Sequence, residues 1–224
     1  MGFGCFSGMV SETSQSLKMI FVDIKRILGK LRYKIISLEK FYIVERSLPF
    51  DPDERLSRND EGVSANCVVK RLTLSSENLF KQYMEFEDEV KKENVKEWLQ
   101  DGHICLLAMR NNRIIGSEWI STRYTPYPDI PKVAAIFKGA AYFFKFFVSP
   151  DFRGRGTGII LNLHAFRISE EMGFTRATCI VYDWNKPSLG LLKKLGFLKT
   201  YKLYLLKVGM FRQCFLVPHS EYKT

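Results

Sequence analysis

An apolar strand that runs into alternate glycines and then directly into an apolar helix constrains this chain more than any other feature. Phe146, Phe147 and Val148 lead through Ser149, Pro150, Asp151 and Phe152 to Arg153, Gly154, Arg155, Gly156, Thr157 and Gly158. Ile159 to Met172 then reads as a helix. Glycines let a backbone turn sharply and come close to a ligand, and a helix start adds unpaired N–H groups and the positive end of its dipole. Such a loop cradles phosphates. It is not a P-loop, because no Gly-Lys-Ser/Thr closes it, and its glycine spacing is not that of a dinucleotide fingerprint. RNA-binding Arg-Gly segments come as disordered repeats, whereas this motif is single and stands between a strand and a helix.

Downstream, Arg176 to Tyr182 reads as a strand and Lys186 to Leu195 as a helix. Asn185 can cap that helix, Pro187 suits its first turn and Gly196 its stop. Upstream the order is strand (67–72), two helical stretches (77–88 and 92–99), strand (104–110), a turn at Asn111 and Asn112, and strand (113–123). Residues 125 to 138 hold three prolines and are expected to form no regular element. Ala141 to Val148, apolar on both alternating faces apart from Lys145, is expected as a central strand covered on both sides. Phe197 to Val208 and Phe211 to Val217 read as a closing hairpin around Gly209. The fold class is α/β, α+β-like, with a mixed sheet flanked by helices on both faces.

From Leu17 to Leu31 apolar residues fall at helical spacing with Lys18, Lys25, Arg26 and Lys30 on the other faces. Residues 17–32 could pack on their own domain, or dock on a membrane surface or a partner. Tyr33 to Leu48 reads as one or two strands that add to a sheet edge, and Pro49 to Asn66 as a polar connection. The expected organisation is an N-terminal extension (1–66), a main domain that carries both motifs (67–217) and a tail (218–224).

With 224 residues and 46% hydrophobic content the chain can bury a full core. Its net charge of +10 favours polyanionic partners without choosing among phosphorylated cofactor, nucleic acid and lipid headgroups. Five cysteines, an odd number with no Cys-x-x-Cys pair, suggest neither a disulfide framework nor a zinc site, and point to the cytoplasm. The apolar stretch from Val133 to Val148 is broken by Lys138 and Lys145, and it falls short of the roughly 20 residues a membrane span requires. Residues 1–16 do not resemble a secretory signal, and Phe6 stands where a myristoylation pattern wants Ser or Thr.

The two motifs resemble those of the GNAT family of N-acetyltransferases, whose acetyl-CoA loop follows Arg/Gln-x-x-Gly-x-Gly/Ala after a strand ending in Val-x-Pro. Arg153, Gly156 and Gly158 occupy the defining positions, and Val148 and Pro150 match the strand end. Asn185 to Phe197 looks like the family's Asn-x-x-Ala/Ser helix running into Leu-Gly-Phe. Element order extends the resemblance over residues 67–217, while the specific matches lie within 146–197. It implies acetyl-CoA as co-substrate, with the backbone of Phe147 and Val148 along the pantetheine arm. Arg153, Gly154, Arg155, Gly156, Thr157 and Gly158 would surround the pyrophosphate, and Asn185 would lie near the cofactor. No metal and no nucleic acid are expected.

Acyl transfer to an amine needs a neutral amine, a polarised carbonyl and a proton for the departing thiolate. The family's proton-donating Tyr, seven residues after the Asn, is here Leu192. Candidates for proton handling are Glu118, Tyr142 and Tyr182, with Asp183 beside the last; for Glu118 the alternative is a solvated strand carboxylate, and for the tyrosines core packing. No spacing ties His103, His164 or His219 to a nucleophile or metal, and Cys179, in an apolar strand, reads as a small buried hydrophobe. The expected reaction is direct attack by a primary amine, of an amino sugar or another metabolite, on acetyl-CoA. Residues 113–138, with Trp119, Tyr124 and Tyr127, would shape the acceptor pocket. A protein N-terminus or lysine as acceptor, and a non-catalytic acyl-CoA-binding module, are the alternatives.

Overall fold

The computed structural model describes residues 36–49, 67–86, 92–123, 131–208 and 211–219. The basic stretch 17–32, residues 50–66 of the expected connection, Tyr124, Tyr127 and Gly209 lie outside them. The described elements are β1 (Ile36–Ser47), β2 (Val68–Leu72), α1 (Glu77–Phe86), α2 (Lys92–Gln100), β3 (Ile104–Arg110), β4 (Arg113–Ser121) and α3 (Pro131–Phe137). After them come β5 (Ala141–Val148), α4 (Thr157–Glu171), β6 (Arg176–Tyr182), α5 (Lys186–Lys194), β7 (Leu198–Val208) and β8 (Phe211–Pro218). The strands form one mixed eight-stranded sheet in the order β2-β3-β4-β5-β6-β1-β7-β8. No described helix is long and apolar enough to cross a membrane.

The chain divides into two compact units, Met1–Glu39 with Tyr204–Phe215, and Lys40–Leu203 with Leu216–Thr224. In the smaller, the described residues are strand ends held by an ion pair of 2.6 Å between Lys207 and Glu39. The larger holds both motifs.

Alternation along β3, and along β4 on either side of a bulge at Ile115, divides the larger unit's core between the two sheet faces. Leu106, Ile115 and Ile120 meet Leu161 and Phe166 of α4 and Leu192 of α5 on one face. Leu107 and Trp119 meet Tyr83 of α1 and Val95 of α2 on the other. Each such side chain contributes about 1.5–3 kcal/mol by leaving water. The indole of Trp119 also donates to Tyr83 Oη at 2.8 Å, which satisfies its one polar atom in the core. Trp119 is therefore a core residue and does not line an acceptor pocket, contrary to the expectation from composition.

Three further expectations are corrected. β1 is an interior strand and not an edge, pairing antiparallel with β6 from Phe41–Tyr182 to Ser47–Arg176. Hydroxyls from both flanking strands bond its carbonyls, Thr178 Oγ1 donating to Val44 O and Thr200 Oγ1 to Ile43 O, each at 3.2 Å. Poor alternation in an Ile-, Tyr- and Val-rich run marks a strand buried on both faces, and such strands lie inside sheets. Residues 131–137 form a helix, because Pro131 fits a first helical position and places Val133 and Phe137, both buried, one turn apart. β5 is buried from Ala141 to Phe143 and again at Val148, but not continuously between them; Lys145 is exposed, at φ 52.

That left-handed residue belongs to a bulge: Ser117 pairs with Phe147 and Trp119 with Phe144, so Lys145 and Phe146 stand opposite the single residue Glu118. On its other side β5 runs parallel to β6 through Ala141–Ala177, Tyr142–Thr178 and Phe143–Cys179, where the pairing stops. The expected β3–β4 hairpin is present, Asn111 and Asn112 taking φ 49 and 59 in its turn.

Candidate functional site

The glycine loop begins where β5 ends. Pro150–Phe152 make one 3-10 turn, with Phe152 N donating to Ser149 O at 2.9 Å and Arg153 N to Pro150 O at 3.2 Å. Gly154 and Gly156 follow at φ 71 and 80, a region that an L side chain enters at a cost. Gly156 is the N-cap of α4, which starts at Thr157, two residues before the expected Ile159. The first intrahelical bond runs from Ile160 N to Gly156 O at 3.1 Å, so the amides of Thr157, Gly158 and Ile159 have no acceptor within the helix.

Gly158 does not serve the turn. It lies within the first helical turn, where an added Cβ would stand 2.9 Å from both Leu191 Cδ2 of α5 and Phe146 Cζ of β5. Two glycines therefore shape the loop, and the third lets α4 close against its neighbours.

Among the loop side chains, Arg153 donates through Nε to Val148 O at 2.9 Å, with its guanidinium 5.8 Å from the Phe147 ring centroid. It thus fastens the loop to the strand it leaves. Thr157 is buried and donates to Phe152 O at 3.4 Å, so its backbone is the part it can offer a ligand. Arg155 is exposed. Arg110, at the end of β3, stands 5.9 Å from the Phe152 ring and adds a third cation beside the loop. No local pattern marked Arg110; only the β3–β4–β5 register brings it there.

The second motif behaves as its local chemistry requires. Asn185 Oδ1 accepts from Ser188 N at 3.2 Å and caps α5. Leu192, at the family's Tyr position, is a core residue packed with Leu195 and Phe197. At the far end, Gly196 takes φ 79 and the Arg46 guanidinium of β1 donates to Leu195 O, closing the last turn. The sequence reading missed Arg46, because its partner is remote in the chain.

The proton-handling candidates fall in three different environments. Tyr182, at the end of β6, is 39% exposed, between Phe41 (ring centroids 4.4 Å apart) and the exposed Trp184 (5.1 Å). Asp183 follows, its amide donating to Lys40 O at 3.1 Å. Tyr142 is buried, stacked on Phe144 at 5.7 Å and edge-on to Phe137 at 5.0 Å. Glu118 lies on the opposite face from Tyr142, under α4, and is no solvated strand carboxylate: it is 2% exposed and takes a bond from Asn162 Nδ2 at 3.4 Å. Burial raises its pKa well above the ordinary carboxylate range.

Cys179 is buried, and burial, then the neighbouring Glu118, push its thiol well up, which leaves it a poor nucleophile. Burial lowers the pKa of His103 and of His164, helped at His164 by Arg167. His219 packs edge-on to Tyr42 at 5.4 Å. A separate recess of about 730 Å³, lined by Lys70, Arg71, Ser76 and Gln82 among others, shares no residue with the 146–197 segment.

Residues 73–197 match the model of the acetyltransferase (GNAT) family. No curated protein matches the sequence. Among solved structures, a Drosophila protein aligns with a TM-score of 0.50 at 16% identity, over 84% of this chain and 57% of its own. A GCN5-related glucosamine N-acetyltransferase region of a fungal multi-domain β-N-acetylglucosaminidase aligns at 0.54 and 15% identity, over 82% of this chain and 22% of that one. A GCN5-related N-acetyltransferase-like protein from Streptococcus suis aligns at 0.53 and 11%, over 82% and 67%. The chain thus spans little more than half of the Drosophila protein, and these likenesses speak for the fold.

Proposed function

Because the chain belongs to the acetyltransferase (GNAT) family, we propose that it moves an acetyl group from acetyl-CoA directly onto a primary amine of a small molecule, an amino sugar or another metabolite. The observation that carries this reading is the start of α4. Two left-handed glycines, amides without intrahelical acceptors and three nearby arginines stand at the end of a strand whose parallel pairing has stopped. That arrangement suits a pyrophosphate. The free cysteines among the described residues suit a reducing cytoplasm.

In this reading the amides from Thr157 to Ile159, with Arg155 and Arg110, hold the pyrophosphate, and the backbone of Phe147 and Val148 lies along the pantetheine arm. Asn185 orders the start of α5 beside them. Acetyl-CoA supplies the activated acyl group as a thioester. The chain's own task is to align the amine with it and to manage one proton. Of the three candidates Tyr182 suits the acid role best, since its ring alone is substantially exposed, at the end of the strand next to β5. A buried, neutral Cys179 argues against a covalent acetyl-enzyme.

Leu192 favours a second reading, a non-catalytic acyl-CoA-binding module, because the family's proton donor is replaced here by a core leucine. Calorimetric titration with acetyl-CoA, followed by a thiol-release assay over a panel of amines, separates the two. Binding with release supports the enzyme, and binding without release on any amine supports the module. No binding by the folded protein removes both.

A further inference from the structure

Glu118 is a carboxyl sealed at 2% exposure, with no ion pair among the described residues. An apolar side chain of similar size would be cheaper to bury there. Its place in the fold supplies a reason for keeping it. It stands opposite the β5 bulge, where the sheet accommodates one residue too many. On the face beneath, one amide nitrogen, Asn162 Nδ2, donates both to Glu118 Oε2 at 3.4 Å and to Gly158 O at 2.9 Å. Asn162 is itself only 2% exposed. A single buried amide therefore joins the bulged stretch of sheet to the first turn of α4, the turn that ends the glycine loop. Cys179 of β6 is the titratable group beside the carboxyl.

We propose that Glu118 is a positioning residue, which acts through Asn162 to fix the first turn of α4 over the bulge and so to hold the loop's amides in place, and not the base that takes the amine proton. A base must come within about 3 Å of the nitrogen it deprotonates or reach it through one water, and Glu118 is enclosed between the sheet and α4. In the chain Glu118–Asn162–Gly158, the amide nitrogen of Asn162 bonds one carboxyl oxygen and one backbone carbonyl of α4. The predicted effect on cofactor affinity rests on the acetyl-CoA reading above; the predicted effect on α4 does not.

The test measures amide hydrogen exchange at Ile160 and Leu161, the first amides of α4 with intrahelical acceptors, and acetyl-CoA affinity in the parent, Asn162→Leu, Glu118→Leu and Glu118→Gln. Both leucine variants should exchange these amides about tenfold faster and bind acetyl-CoA about tenfold more weakly. Glu118→Gln keeps an acceptor oxygen, so it should restore both properties and leave the pH profile of kcat unchanged. Asn162→Leu carries the test even where Glu118→Leu does not fold. The proposal is overturned by parent-like exchange in Asn162→Leu. It is equally overturned by a Glu118→Gln variant that binds acetyl-CoA normally but loses turnover along with the acidic limb of the profile. Faster exchange in the leucine variants of a protein that binds no acetyl-CoA upholds the positioning role and removes the cofactor reading alone.

Discussion

Helices α4 and α5 begin in equivalent places, each just past the C-terminal end of one of two neighbouring parallel strands, yet their first turns are completed differently. At α5 the side chain of Asn185 bonds the amide of Ser188, and the helix start is satisfied from within. At α4 the N-cap is Gly156, in a left-handed conformation and with no side-chain bond to the amides that follow. One helix start spends its polar capacity on its own stability, and the other leaves it unspent, as the proposed pyrophosphate site requires. The cost of the second arrangement falls on its neighbours: Arg153 must tie the loop to Val148, and Gly158 must stay small for α4 to seat against Leu191 and Phe146.

Breaking the seat of α4 should have the largest effect. Gly158→Val drives a branched side chain into Leu191 and Phe146, and should lower stability by about 1–3 kcal/mol in a thermal or denaturant unfolding measurement. An unchanged midpoint would mean that Gly158 serves something other than packing. Next comes Arg155→Glu, which reverses a charge at the exposed loop while leaving the core alone. Acetyl-CoA affinity should fall about tenfold, or about 1.4 kcal/mol, with unfolding unmoved and with a weaker dependence on salt. Asn185→Ala should do the converse, costing about 1 kcal/mol of stability with less effect on affinity. If it proves to damage binding more than stability, the division of labour between the two helix starts is wrong.

The smallest effect at neutral pH concerns the buried carboxyl beneath α4. Burial raises the folded-state pKa of Glu118 above its unfolded value. Its contribution to stability is therefore complete below the ordinary glutamate pKa and is lost as pH rises through the folded one. Denaturant midpoints followed upward in pH from the ordinary glutamate pKa should decline more steeply in the parent than in Glu118→Gln. The α5 start, capped by an asparagine, gives no such term.

What the sequence made legible was local. The capped start of α5, the stop at Gly196 and the Asn111–Asn112 turn depend on residues within a few positions of one another, and each took the conformation its chemistry favours. What stayed hidden depended on register between distant strands. Nothing near Arg110 or Arg46 announces a partner, and a glycine in a Gly-x-Gly-x-Gly run looks like its companions until Leu191 and Phe146 are known to press on it. Glu118 was noticed for its chemistry, but its burial is set by α4, whose approach no periodicity in β4 could reveal.

The interior position of β1 has a temporal consequence. Its partner on one side, β6, follows it by well over a hundred residues, so its pairing is among the highest in contact order that this chain possesses. During synthesis β1 leaves the ribosome long before either flanking strand exists, carrying the apolar run Phe41 to Val44 with both hydrogen-bonding edges open. Such a strand must be shielded or kept dilute until β6 emerges. Productive folding of the whole sheet is therefore timed by the last third of the chain, with closure over β1 as its slow, non-local step.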